Sequence, residues 1–249
     1  MRPVDAHCHL DFEQFEEDRE EVLTRARENL EFVVNAGSNL EQNKSALKLQ
    51  EENPGLVIAN LGLHPVYTDS YSETDRIKAQ IREADPAAIG EIGLDHHHVE
   101  DRETRENQEK VFREMLELAE DLNKPVVVHS RDAERKAVEI LKEYSLPGIM
   151  LHCFNGKPKL AEEASENGMK IGVTTQVLYS DRVQDIVKTL SLEAMLLETD
   201  SPYLYRGGRN EPVNVVESAE KIAELKNTDK AEVIEFTTEN ARELFSYRG

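Results

Sequence analysis

Val4-Asp5-Ala6-His7-Cys8-His9-Leu10 is a short β-like run with polar residues at every second position, and it has counterparts along the chain. Ile89-Gly90-Glu91-Ile92-Gly93 supplies a carboxylate and Val126-Val127-Val128-His129 an imidazole. Ile149-Met150-Leu151-His152 supplies another imidazole, and Met195-Leu196-Leu197-Glu198-Thr199-Asp200 a second carboxylate. Apolar runs of strand length that end in His, Glu or Asp, repeated through 249 residues, read as a (β/α)₈ TIM barrel with a metal site at its mouth.

Outward from those runs, strand-like and helix-like segments alternate from end to end, the pattern of a parallel sheet. Strands are predicted near residues 3–9, 31–37, 56–62, 87–93, 125–129, 149–153, 169–174 and 194–199. Most are nearly continuous apolar runs, as strands buried on both faces require. The clearest helix spans Arg102 to Leu122, with Val111, Met115, Leu118 and Leu122 on one stripe. Asn53-Pro54-Gly55, Asn123-Lys124-Pro125 and Leu146-Pro147-Gly148 mark helix ends that feed the next strand. The segment from Glu211 onward predicts two helices, one covering the eighth strand and one an additional C-terminal appendage. No Gly-rich phosphate loop follows the first strand, which argues against a dinucleotide-binding sheet. With no linker or internal repeat, residues 1–249 read as a single domain.

The chain carries 50 acidic against 30 basic residues, a formal net charge of −20. Clusters such as Glu16-Glu17-Asp18-Arg19-Glu20-Glu21 fall on predicted helices and imply a solvated acidic surface. A salt-adapted host would account for it, because ionic strength screens self-repulsion. No stretch is long and apolar enough to cross a bilayer, and the first strand leaves no room for a signal peptide, so a cytoplasmic protein without membrane partners is expected. Cys8 and Cys153 each neighbour an inward-facing histidine, so alternation sends both sulfurs toward the surrounding helices. On strands one and six they are too far apart for a disulfide.

His7 and His9, two apart on a strand, leave the same face and can chelate one divalent ion, with Asp5 preceding them on that face. In a barrel, strands eight and one are neighbours, which brings Asp200 beside them. Glu91, His129 and His152 form a second group across the mouth. Unpartnered polar side chains on four strand ends would be costly as core filling or as mere loop-entrance caps, whereas two ions bridged by Glu91 would engage all six. His64, in Gly62-Leu63-His64-Pro65, is a candidate phosphate donor or a partner to a ligand. Asp95 is expected to orient a neighbour rather than bind metal. His96, His97 and His98 cannot all face one site. Arg131 and Arg209 are candidates for an anionic substrate group, or else ordinary surface ion pairs.

With these residues in place, the chain resembles the TatD family of metal-dependent hydrolases, within the amidohydrolase superfamily. The likeness runs through Asp5-Ala6-His7-Cys8-His9-Leu10-Asp11, Gly62-Leu63-His64-Pro65, Gly90-Glu91-Ile92-Gly93-Leu94-Asp95 and Pro125-Val126-Val127-Val128-His129-Ser130-Arg131. It continues in His152-Cys153-Phe154-Asn155-Gly156, Leu197-Glu198-Thr199-Asp200-Ser201-Pro202-Tyr203-Leu204, Arg209-Asn210-Glu211-Pro212 and Asn240-Ala241-Arg242-Glu243-Leu244-Phe245. The resemblance implies a (β/α)₈ barrel that binds divalent metal at His7, His9, Glu91, His129, His152 and Asp200. It also implies deoxyribonuclease activity, in some members on single strands, with deacylation of D-aminoacyl-tRNA also linked to the family. The family usually has aromatic residues where His96 and His97 stand, serine at Asn155, and often Ala-Pro at Tyr205-Arg206. These departures touch loops at the mouth and bear on substrate preference.

The expected chemistry is phosphodiester hydrolysis at single-stranded DNA ends. His7, His9 and Asp200 would hold one ion, His129 and His152 the other, and Glu91 would bridge. Asp200 is the expected general base, and His64 and Arg131 would stabilise phosphate. The mixed nitrogen and oxygen set suits Zn²⁺, Mn²⁺, Fe²⁺, Co²⁺ or Ni²⁺, while the resemblance keeps Mg²⁺ open. No basic stripe is present to grip a duplex, so an enzyme acting on ends is easier to reconcile with the charge. The alternatives are a hydrolase of small esters, amides or D-aminoacyl-tRNA, and a non-enzymatic metal binder. Glu91 stands where many superfamily amidohydrolases carry a bridging lysine, which favours the nuclease branch. No obligate protein partner is indicated.

Overall fold

The computed structural model describes residues 1–247. Eight parallel strands form its centre: β1 Asp5–Cys8, β2 Val33–Ala36, β3 Val57–Asn60, β4 Ile89–Asp95, β5 Val126–Arg131, β6 Ile149–His152, β7 Lys170–Val173 and β8 Met195–Leu197. They run in order as two sheet segments, β1–β3 and β4–β8, and single bridges close both seams into a barrel. Between β3 and β4 the Gly90 N–H donates to the Leu61 carbonyl at 2.9 Å. Between β8 and β1 the His9 N–H donates to Ser201 at 2.8 Å and the Asp200 N–H to His7 at 2.9 Å. The buried Asp5 carboxylate strengthens this second seam by accepting from the Thr199 N–H at 2.8 Å and the Thr199 hydroxyl at 2.6 Å.

Helices α1 (Arg19–Asn29), α2 (Leu40–Glu52), α3 (Thr74–Ala84), α4 (Arg102–Leu122), α5 (Glu134–Leu141), α6 (Pro158–Glu166), α7 (Asp181–Thr189) and α8 (Val215–Lys226) follow successive strands. Local chemistry sets their ends. Asn39 and Asp101 cap α2 and α4 by accepting backbone N–H groups of the first turn, and Asn123 and Asn227 end α4 and α8 in the left-handed conformation. The Leu146-Pro147-Gly148 marker was placed too late: α5 stops at Leu141, and turns through Glu143 and Tyr144 carry the chain to β6. No helix among the described residues is long and apolar enough to cross a membrane.

The C-terminal α9 (Lys230–Leu244) departs from the expected appendage. Its Ala241 and Leu244, with the adjoining Phe245, join Val4, Ala6, Phe32, Val34, Ala88, Val127, Met150 and Leu196 in one apolar cluster. That cluster is the inner floor of the barrel, separate from the larger layer that packs strands against the surrounding helices. Asn240 donates to the Leu192 and Met195 carbonyls, and Arg242 pairs with both oxygens of Glu31 at 2.6 and 2.7 Å. The amphipathic face of α9 thus acts as a stopper for the end opposite the mouth.

Two strands break the simple alternation. The register of β1 against β2 shifts between Asp5 and Cys8, and that of β4 against β5 shifts between Ile89 and Ile92. Val4 and Ala6 belong to the floor, yet His7 and His9 face the mouth, while Ala88 belongs to the floor and Glu91 faces the mouth. Each irregularity adds one residue and re-aims the side chain that follows it, as bulges beside binding sites do. Asp5 is therefore not on the face of the two histidines; it belongs to the β8 seam.

Candidate metal centre

Glu91 lies at the centre of the mouth, and its two oxygens look in different directions. Oε2 is 3.5 Å from His7 Nε2 and 3.8 Å from His9 Nε2. Oε1 is 3.1 Å from His64 Nε2, 3.0 Å from His129 Nδ1 and 3.7 Å from His152 Nε2. Asp200 Oδ1 stands 3.5 Å from His9 Nε2 and 3.8 Å from both His7 and His152 Nε2. His7 and His152 stack with ring centroids 3.6 Å apart, whereas His129 and His152 are 6.4 Å apart. The sequence grouping thus shifts in one respect: His152 sits between the two halves rather than beside His129.

The outer nitrogens of these rings decide which inner nitrogens offer a lone pair. His9 Nδ1 faces the Ala36 carbonyl at 3.1 Å, His129 Nε2 faces Asp95 at 3.0 Å, and His152 Nδ1 faces Glu198 at 2.6 Å. Each of these partners accepts a hydrogen bond, so the proton of each neutral ring is held outward and the inner nitrogen is free to bind a cation. His64 is arranged in the reverse sense. Its Nδ1 accepts the Val66 N–H at 3.2 Å, which puts the ring proton on Nε2, aimed at Glu91. His64 therefore stands close enough to be counted with Glu91 and His129 as a ligand group, but it is a donor. Buried His7 Nδ1 has no protein partner among the described residues. Three outward-locked imidazoles converging on two carboxylates fit a divalent cation better than they fit one another.

Electrostatics follows the same geometry. Burial works against the charge of Glu91, but His64, His152 and His129 outweigh it and hold the carboxyl well below its usual range. Asp200 is partly buried, and His152, His9 and His7 lower it against that cost. Burial would lower His152, yet Glu198, Glu91 and Asp200 push it up to about 10. His9 and His129 are raised in spite of burial by the carboxylates beside them, and His7 is lowered by burial and by His152. Two ionised carboxylates with protons held on nearby rings describe a cation site whose charge is carried by protons when no ion is bound.

Asp95 binds no more than its neighbours: Oδ2 accepts from His129 and from His98 Nδ1 at 2.8 Å, and Oδ1 from the N–H groups of His97 and His98. Of the three consecutive histidines, His97 and His98 line the mouth, His97 pairing with Asp132 at 3.1 Å. The buried Nε2 of His96 has no partner among the described residues. Arg131 lines the mouth cavity, whose volume is about 630 Å³. Arg209 lies apart from that cavity, held by both Asp18 oxygens at 2.6 Å and over the Phe15 ring at 4.6 Å.

The sequence reading missed one residue at the centre and misplaced another. Glu198 is fully buried and holds both His152 and the Cys153 N–H, the latter at 2.7 Å. A side chain on Gly172 would put its Cβ 2.2 Å from Glu198 Oε1, so glycine there makes room for the carboxylate. Its signal was the alternation itself, since Glu198 lies two residues from both Leu196 and Asp200. Cys153 corrects the expectation for its sulfur. Just beyond β6 it turns left-handed (φ 46°), lines the mouth, and brings Sγ within 4.8 Å of ligand atoms of His152 and Asp200. Cys8 does point into the outer layer, and neither cysteine is in a disulfide.

A family profile described as TatD related DNase matches residues 4–246. An uncharacterised metal-dependent hydrolase of Methanocaldococcus jannaschii, MJ1582, is 37% identical over all of this chain and 98% of its own. Human deoxyribonuclease TATDN3 is 36% identical over 97% of this chain and 94% of its own. The crystal structure of YJJV, a TatD homologue from Escherichia coli K12, superposes with a TM-score of 0.88 at 30% identity, covering 99% of both chains. By sequence across its length and by fold, the chain belongs to the TatD family of metal-dependent hydrolases, enzymes acting on ester bonds.

Proposed function

We propose that the protein is a deoxyribonuclease that hydrolyses phosphodiester bonds at the ends of single-stranded DNA, with two divalent ions at the mouth. The observation that carries this reading is the division of Glu91, one oxygen toward His7 and His9 and the other toward His129 and His152. His7, His9 and Asp200 would hold one ion and His129 and His152 the other, with Glu91 shared between them. When bound, such ions activate water at neutral pH and neutralise charge on the phosphoryl oxygens.

The residues supply the rest. Asp200, kept ionised by His152, His9 and His7, accepts the proton of the attacking water. His64 Nε2–H and the Arg131 guanidinium donate to phosphoryl oxygens, and Asp95 and Glu198 fix the rings of His129 and His152. The mixed nitrogen and carboxylate set favours Zn²⁺, Mn²⁺, Fe²⁺, Co²⁺ or Ni²⁺ over Mg²⁺. A net charge of −20 favours a short end reaching the ions over a duplex held along its length. The human relative bears the name deoxyribonuclease, which supports DNA as the substrate. We read residues 1–249 as one domain that acts in the cytoplasm without an obligate protein partner.

The test is hydrolysis of 3′- and 5′-labelled single-stranded DNA by metal-stripped protein, with Mg²⁺, Mn²⁺, Co²⁺ and Zn²⁺ restored separately. Laddering from one end, dependent on an ion and lost in Asp200→Asn, is the expected result and fixes both polarity and ion. Tight metal binding with no cleavage would refute the nuclease reading and direct the search to small esters or aminoacyl-tRNA.

A further inference from the structure

The mouth has two unlike walls. Every charged lining residue outside the metal ligands follows β4 through β7: Asp95, Arg131, Asp132, Glu134 and Arg182. The wall built by the loops after β1, β3 and β8 is uncharged and aromatic, formed by Phe12, Val66, Tyr67, Tyr203 and Leu204. Phe12 lies flat on the ligand His9, with centroids 4.6 Å apart and planes 20° apart. Tyr203 meets Phe12 edge-on at 6.3 Å and 71°. At 47% exposure, Tyr203 is one of three large apolar side chains most open to solvent among the described residues. Packing does not require an exposed aromatic ring there, three residues beyond Asp200.

We infer that the corner formed by Phe12 and Tyr203 is a nucleobase subsite, on which the base next to the scissile phosphate stacks. The inference rests on the nuclease reading above and adds to it how a single strand is held. His9 joins the corner directly to the metal centre, so a base on the aromatic side puts its own phosphate at the ions. Every base has a π-face, so the subsite takes any sequence, but a paired base stacked in a duplex cannot enter it. An acidic protein thereby obtains affinity for single strands from stacking where it lacks a basic stripe.

The chain contains no Trp, so 2-aminopurine fluorescence can be read without protein background. The probe is a phosphorothioate-linked single strand with 2-aminopurine at each of its terminal positions in turn, added to the metal-loaded protein. Quenching at one position is expected in the wild type and in Tyr203→Phe, and its loss in Tyr203→Ala. On cleavable DNA, Tyr203→Ala should raise KM about tenfold, a typical loss for one base–aromatic stack. Replacing the stacked nucleotide by an abasic one should cost a similar factor, and the two losses should overlap rather than multiply. DNA that is cleaved, but with KM shifted less than about twofold by either change, would overturn the subsite and leave the nuclease reading standing. A fall in kcat and melting temperature that Tyr203→Phe does not restore would assign Tyr203 to structure and overturn it as well. No cleavage and no quenching with any ion would remove both readings together.

Discussion

The mouth and the floor of this barrel are built from the same strands and hold opposite chemistry. At the floor, inward side chains are apolar and α9 seals them. At the mouth they are His, Glu and Asp, with His7, His9, Glu91 and His152 buried and His129 and Asp200 partly so, and each needs a partner. Burying a polar group without a partner costs free energy, whereas burying Phe245 and Leu244 releases it. One end stabilises the fold and the other uses part of that stability to hold charges together. The bulges in β1 and β4 mark the boundary, since there the inward alternation passes from one chemistry to the other.

That division can be broken from either side. Asp200→Asn should lower kcat/KM about 10²–10⁴-fold, the range for losing a proton-transfer group, while urea unfolding of the metal-free protein changes little. An equally large loss of stability would show that the mouth also supports the fold. Phe245→Ala should destabilise the protein by about 3–5 kcal/mol in denaturant titration, with metal affinity of the folded fraction retained. Glu198→Gln frees the His152 ring and should weaken metal binding or activity about 10–100-fold, read by competition with a chelating dye. The raised pKa values of His152, His9 and His129 give metal binding a sign with pH. The metal-free rings hold protons that an ion must displace, so affinity should weaken as pH falls below about 10, where His152 takes up its proton, with protons released on binding in calorimetry. Smallest of all, Arg209→Ala removes a partly exposed ion pair with Asp18, and should cost under about 1 kcal/mol and move KM less than about twofold. A large KM effect would return Arg209 to the substrate.

The strands were legible because most are apolar runs and five end in His, Glu or Asp, a pattern that depends on chain order alone. The Arg102–Leu122 helix was legible for the same reason, its stripe and its Asn123 end both being local. What depended on three-dimensional placement was not. Asp5 looked like a companion of His7 and His9 because period-two alternation was carried through a bulge. Cys153 looked outward because the strand was carried one residue past its end. His64 was recognised as polar and near the site, but its role turns on which nitrogen holds the proton, set by the Val66 N–H. The partners of α9 lie on distant strands, and no local pattern distinguishes a floor helix from an appendage.

The seam between β1 and β8 joins Asp5 to Thr199 across 194 positions. Closing a loop of that size costs about 5 kcal/mol of chain entropy, so on topological grounds this seam forms after the neighbouring βα units. It is also the seam that brings His7 and His9 to Asp200. An unclosed chain therefore has no complete metal centre, and an ion that binds the centre acts as a clasp on the last joint. At a hundredfold excess over its dissociation constant such a clasp adds about 2.7 kcal/mol to the closed form. Metal supply would thus set how rarely the closed seam reopens.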